Sequence, residues 1–178
     1  DKQYNSKWRW QMASERFYPA VTADVIVWRK VGHDSMEFLS IHRDTEPFIG
    51  HRALIGGHFE NKDQSVVHAV KRELEEEGKL IVPLESFHFV KTYDSPRRDP
   101  RGRSISFLYS VEYSESMGPA CAGDGTSDEM WIPVINASYF KWAFDHGQMI
   151  NDWDNWRMAK EVNDLRIESW IKICQLTR

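Results

Sequence analysis

Glu73, Glu76 and Glu77 occupy the i, i+3 and i+4 positions of the run Arg72-Glu73-Leu74-Glu75-Glu76-Glu77, so a helix through them gathers three carboxylates on one face. Folding alone gains nothing from that grouping, because like charges at this spacing repel. The plain reading is a solvated acidic helix face. The alternative is a hard divalent cation, since Mg²⁺ takes oxygen ligands and shares its shell with water and substrate phosphates. Three neighbouring features favour the cation. The apolar Ala53-Leu54-Ile55 reads as a buried strand running into Gly56-Gly57, a helical pattern fills the interval, and Arg72 stands directly before the first carboxylate. The run thus ties the chain to a strand, a glycine pair and an acidic helix in that order.

Gly56-Gly57-His58-Phe59-Glu60, then Asp63 or Gln64, then Arg72-Glu73-Leu74-Glu75-Glu76-Glu77 resembles the Nudix box, the signature of hydrolases that cleave a nucleoside diphosphate linked to another group. The match is specific at the Arg-Glu-x-x-Glu-Glu end. One extra residue lies in the 61–64 turn, so the acidic residue that usually opens the helix is either Asp63, displaced by one, or is replaced by Gln64. At the far end the usual glycine is Lys79, with Gly78 one position early. Both departures fall at helix ends, where a turn or a cap absorbs a residue.

Three further segments, Tyr18-Pro19-Ala20-Val21-Thr22-Ala23-Asp24, Arg98-Asp99-Pro100-Arg101-Gly102-Arg103 and Phe144-Asp145-His146-Gly147-Gln148-Met149-Ile150, resemble one Nudix branch. That branch holds ADP-ribose pyrophosphatases, the Nudix half of fused nicotinamide-mononucleotide adenylyltransferases, and the ligand domain of NAD-metabolism repressors. With the box, the resemblance covers roughly residues 18 to 150. The repressors carry a winged-helix domain after the Nudix domain, and the residues beyond Ile150 are too few for one, which disfavours that reading.

A chain of 178 residues suffices for one domain with its own core. Residues 1–18 read as an N-terminal arm or linker and 19–178 as a single Nudix domain. Opening at Asp rather than Met suits a processed product or a piece of something longer. Hydrophobic residues make up 41%, but no apolar run reaches membrane-spanning length. There is no charged-then-apolar leader. Cys121 and Cys174 are too few for a disulfide framework, and no Cys/His cluster has zinc spacing. A cytoplasmic protein is expected. The net charge of −4 argues against a nucleic-acid-coating surface, leaving a small nucleotide as the expected partner, with neither membrane nor nucleic acid. Many relatives dimerise, so a homodimer is allowed for.

The coarse pattern is mixed α/β. Residues 21–28 are rich in β-branched types, and 36–42 form their hairpin partner across a turn at 32–35. Further strands are expected over 53–55, 87–93, 104–113 and 130–134. Asp63 or Ser65 caps a helix running to Gly78, with Val66, Val67, Ala69, Val70 and Leu74 on its apolar side. Helical spacing returns over 145–175, interrupted by the cluster at 153–156. This order fits the α/β/α sandwich with a mixed sheet that the resemblance implies.

A diphosphate substrate needs opposing cations, and arginine forks match phosphate oxygens. Arg97, Arg98, Arg101 and Arg103 crowd the loop at 94–103, either as a turn kept soluble by charge or with Arg101 or Arg103 on phosphate or ribose. Arg43, just before the box, is a further phosphate candidate. His146 is either a packed residue at a helix start or a substrate contact. Metal-assisted hydrolysis assigns Glu73, Glu76 and Glu77 as ligands of Mg²⁺ (Mn²⁺ as substitute), with the Gly57 carbonyl as an additional ligand. Arg72 holds Glu73. The general base is sought in the acidic, glycine-rich stretch 123–129, a mobile loop by analogy with related hydrolases, with Glu129 first and Asp128 second. The resulting reading is hydrolysis of ADP-ribose or a close relative to AMP and ribose 5-phosphate. Its rivals are a non-catalytic Nudix domain that senses an NAD-derived ligand, and the C-terminal half of a bifunctional NAD-biosynthetic enzyme.

Overall fold

A computed structural model describes residues 17–32, 35–123 and 126–176. The N-terminal arm lies almost wholly outside the described residues, as do His33 and Asp34 of the predicted turn, Asp124 and Gly125, and the Cys174 side chain.

Residues Thr22 to Val27 are buried without a break, which is the signature of a strand covered on both faces rather than one. They form the middle of β1 (Ala20–Val31), and the sheet is organised around it. Along one edge β1 pairs in parallel with β6 (Ser104–Glu112), whose other edge carries the antiparallel β5 (His88–Tyr93). Its other edge is shared. The first half of β1 pairs with β4 (Ile55–His58) and the second half with β2 (Ser35–Arg43), both antiparallel. β3 (Arg52–Ala53) and β7 (Thr126–Pro133) complete the sheet on β2. Where β1 changes partner, β2 and β4 diverge and leave a crevice, the kind of place where sheets of this sort bind ligands.

Strand alternation sends Val25 and Val27 to one face and Ile26 to the other. The first face packs with Leu39, Ile41, Val70 and Leu74 under helix α1 (Val66–Glu77). The second packs with Phe38, Leu108, Met149 and Trp153 under helix α2 (His146–Leu176). The result is the expected α/β/α layering with a mixed sheet. Among the described residues, no helix is long and apolar enough to cross a membrane.

Three details differ from the sequence expectation. The strand at 53–55 is split. Leu54 gives its amide to His146 Nδ1 (2.9 Å) and its side chain to the α2 core, so the chain leaves β2 at Ala53 and joins β1 at Ile55. Residues 126–129, expected in a loop, are the start of β7, because pairing with β2 extends the strand beyond its apolar part. Trp153 does not interrupt α2. It is completely buried, donates its indole N–H to Ser110 Oγ (2.9 Å), and anchors a continuous 31-residue helix to β6. Trp153→Phe should therefore lower unfolding stability by about 1–3 kcal/mol, from the smaller ring and the lost hydrogen bond together, as read by urea denaturation.

Candidate active site

The site is built on the first turns after the crevice. Gly56 and Gly57 lie inside β4, where bulk is forbidden. A Cβ at Gly56 would run into the Ala23 carbonyl and the Asp24 carboxylate, and one at Gly57 would fall on the Glu73 carboxylate. The chain then turns through 61–64, where Asp63 accepts from the Glu60 amide (2.8 Å) and from Arg72 Nε and Nη2 (3.0 and 3.1 Å). The extra residue is thus absorbed in the turn, and Asp63 supplies the carboxylate there. The Arg72 hydrogen bond holds its carboxyl below the usual range against the pull of burial. Ser65 stands at the N-cap of α1 with its hydroxyl on His68 Nδ1 (2.8 Å) rather than on a backbone amide. At the other end Gly78 is pressed against Ile55 and Leu74, and Lys79 takes the left-handed turn (φ 56°) in which a glycine would be free of strain.

Arg72 is the hub of the acidic helix. Its Nη1 reaches Glu73 Oε1 (2.7 Å) and Glu76 Oε2 (3.0 Å), and its Nη2 reaches the His58 carbonyl (2.9 Å). The three glutamates do not all face one way. Glu73 and Glu77 line a cleft of about 290 Å³, whereas Glu76 is exposed between Arg72 and Lys62. Among the described residues no three acidic, histidine or cysteine side chains are arranged as a metal cage. The donor set in the cleft nevertheless fits a hard cation. Burial first, and then the Glu73 charge, push the Glu77 carboxyl up to about 8, and its hydrogen-bond donor is a single Gly56 amide at 3.4 Å. Burial also raises Glu73. Two neighbouring carboxylates beside Gly57, of which Glu77 has no ion pair among the described residues, are what Mg²⁺ or Mn²⁺ would complement.

The cleft lining also holds cations. Arg43 and Arg101 line the cleft; Arg43 gives Nε to the Pro47 carbonyl (3.0 Å), and Arg101 is gripped by Asp99 (2.8 Å). Arg103 does not belong to the lining; it is exposed, with its guanidinium over the Phe17 ring. Glu129, an exposed residue of β7, accepts from the Ala122 amide (3.0 Å) and lies outside the cleft lining. Asp128 is ion-paired to the buried Arg52 and is also outside the lining. Neither acid is among the residues that line the cleft; both lie in the irregular step of β7, between Ser127 paired with His42 and Met130 paired with Ser40.

Beneath the cleft lies a buried polar network that sequence reasoning passed over. Asp24 accepts from Ser106 Oγ and lies 3.4 Å from His146 Nε2 and 3.9 Å from Arg98. Arg98 forks onto Asp145 (2.7 and 3.0 Å) and also reaches Ser104. Since His146 Nδ1 accepts the Leu54 amide, its proton sits on Nε2, toward Asp24. His146 is thus packed and fully engaged, although it belongs to the cleft lining. The signal was an aspartate in the middle of an otherwise apolar strand. Burial alone would raise the Asp24 carboxyl, but His146, Ser106 and Arg98 outweigh it and hold it below the ordinary range. A depressed folded value stabilises the fold above about pH 4, and that contribution is lost as pH falls through the folded value. The thermal midpoint of Asp24→Asn should accordingly fall less steeply than that of the unaltered protein between pH 5 and pH 2.5.

A family model for the NUDIX domain matches residues 18–153. An ADP-ribose pyrophosphatase of Methanocaldococcus jannaschii is 35% identical over 140 residues, covering 79% of this chain and 76% of the relative. The NUDIX domain of Shewanella oneidensis NrtR, solved as a cocrystal with ADP ribose, superposes with a TM-score of 0.69 at 25% identity, over 86% of this chain and 93% of that one. A bifunctional NMN adenylyltransferase/ADP ribose pyrophosphatase from Francisella tularensis, complexed with AMP and a manganese ion, gives 0.64 at 26% identity, over 82% of this chain and 44% of that one. With a matched domain that spans strand, glycine pair, acidic helix and the start of α2, the chain belongs to the NUDIX domain family, as a Nudix pyrophosphatase.

Proposed function

We propose that the protein hydrolyses the diphosphate bond of ADP-ribose or a close relative, in a reaction that depends on Mg²⁺ or Mn²⁺ and gives AMP and ribose 5-phosphate. The observation that carries this reading is one cleft whose lining holds both the half-buried carboxylates Glu73 and Glu77 and the arginines Arg43 and Arg101. A bound divalent cation supplies charge neutralisation on the phosphates and an activated water. Glu73 and Glu77 would hold it with the Gly57 carbonyl, and Glu76 would join from the outer edge. Arg72 fixes Glu73 through its short bond and so sets the position of the first carboxylate. Arg43 and Arg101 oppose the phosphate charge. His146 ties the Leu54 amide to the floor and thereby keeps β4 and its glycines in place. The named substrates of the Methanocaldococcus and Francisella relatives, and the ligand of the Shewanella domain, support ADP-ribose as the compound.

A second reading, a domain that binds an NAD-derived ligand without cleaving it, is favoured by one observation. Glu76 is turned to Arg72 and Lys62 rather than into the cleft. A panel of ADP-ribose, NADH, ATP and dGTP, incubated with Mg²⁺ and resolved by chromatography, tests the substrate. ADP-ribose should be cleaved fastest; faster cleavage of ATP or dGTP would remove it as the substrate.

A further inference from the structure

Phe144 breaks a local rule at the edge of the cleft. Its φ is 50°, in the left-handed region that a bulky side chain avoids and a glycine occupies freely. The turn is enforced on both sides, since Ala143 gives its amide to the Arg52 carbonyl (2.9 Å) and takes the His146 amide on its own carbonyl (3.1 Å). Strain of this kind persists where the surroundings over-determine it, and it concentrates at functional sites. The ring is held by Phe48, whose centroid is 4.9 Å away in an edge-to-face contact. Two cations share this one ring: the Arg43 guanidinium carbon lies 5.1 Å from its centroid and that of Arg101 lies 5.4 Å away.

Two guanidiniums on one ring repel each other, so something must reward the arrangement. Asp99 offsets part of the charge of Arg101, using Nε and Nη2. Arg43 spends Nε on the Pro47 carbonyl. Among the described residues, Nη1 of Arg101 and both terminal nitrogens of Arg43 have no protein partner. Both side chains line the same cleft as Glu73 and Glu77. Free donors on two adjacent cations match the doubly charged span of a diphosphate better than that of a single phosphate. A π face attracts a cation without consuming its N–H groups, so it can seat both arginines and leave those donors available.

We infer that Phe144 is a positioning residue, whose ring seats Arg43 and Arg101 side by side as one diphosphate-gripping pair. The inference rests on the reading of the cleft as a diphosphate site, and it adds the element that sets the spacing of the grip. The ring itself touches no reacting atom. Its effect belongs on binding more than on the chemical step, so KM should move while kcat holds.

The test uses the full chain with Mg²⁺ and two probes: inorganic pyrophosphate by calorimetry, and ADP-ribose by steady-state kinetics. Phe144→Leu, with Phe144→Met as a second apolar replacement, should weaken pyrophosphate binding and raise KM by about tenfold, the scale of partly desolvated cation–π contacts. Phe144→Tyr keeps the ring and should restore both. In an Arg101→Gln background the cost of Phe144→Leu should shrink to about threefold, because one of the two similarly seated cations is gone. A merely structural role would lower kcat and would cost the same in both backgrounds. Unaltered pyrophosphate binding in Phe144→Leu, or an equal cost with and without Arg101, overturns the inference. If the unaltered protein binds pyrophosphate but leaves ADP-ribose intact, the substrate reading falls, while weakened pyrophosphate binding in Phe144→Leu still supports the ring's role.

Discussion

Glu77→Gln is expected to cut turnover of ADP-ribose about a thousandfold while making the protein in chelator more stable at alkaline pH. The two effects have one origin. Glu77 is an acid whose protonation is favoured by folding, pushed up to about 8 by burial and by the neighbouring Glu73 carboxylate. Its contribution to stability is complete below the ordinary glutamate value of about 4.3, and it is lost as pH rises through the folded value. Glutamine carries no such loss, so at pH 9 the variant should gain about 1 kcal/mol or more relative to the unaltered protein. Catalysis moves the other way, because a neutral amide is a poor ligand for a hard cation. Kinetics with Mg²⁺ and thermal denaturation at pH 6 and pH 9 with chelator read both arms. Near-normal turnover, or a variant less stable at pH 9, would remove Glu77 from the metal site.

Arg98→Leu should have the largest effect on stability away from the carboxylate pair. The Arg98 side chain is 4% exposed and forks onto Asp145, with Asp24 at 3.9 Å. Removing it leaves the buried Asp24 and the partly buried Asp145 without that cation, and breaking such a pair from one side costs up to about 3–5 kcal/mol. For a chain of this size that is a fall of about 10 °C in the thermal midpoint. Adding Asp145→Asn to Arg98→Leu should recover part of the loss, because the stranded charge is then gone. A fall equivalent to less than about 1 kcal/mol would mean that the pair is solvated and does not hold the loop to α2.

Arg98 also marks where sequence reading stops. The period of Glu73 and Glu77, the closeness of Gly57 to an acidic helix and the pairing of Arg72 with Glu73 are local features, and spacing reveals them. Which of four neighbouring arginines is buried depends on Asp145, 47 residues away, and no local pattern carries that information. The same holds for His146, whose partners, the Leu54 amide between β3 and β4 and the Asp24 carboxylate of β1, lie far away in the chain. Residues 126–129 look like a loop in isolation and become strand only because β2 offers an edge. Trp153 looks like a break in a helix, since its companions on β6 lie outside any helical window. Helix faces and glycine constraints are legible in this chain, whereas long-range partners need the fold.

Hydrolysis by a metal-dependent cleft is tested most directly by one switch experiment on a single sample of unaltered protein. ADP-ribose is added first in chelator, then excess Mg²⁺, then chelator again, with AMP and ribose 5-phosphate followed throughout. The expected result is no product at first, appearance of both products in equal amounts on adding Mg²⁺, and arrest on the second chelation. ADP-ribose bound tightly in calorimetry with no AMP formed under Mg²⁺ or Mn²⁺ would contradict it, and would leave a domain that recognises its ligand without cleaving it.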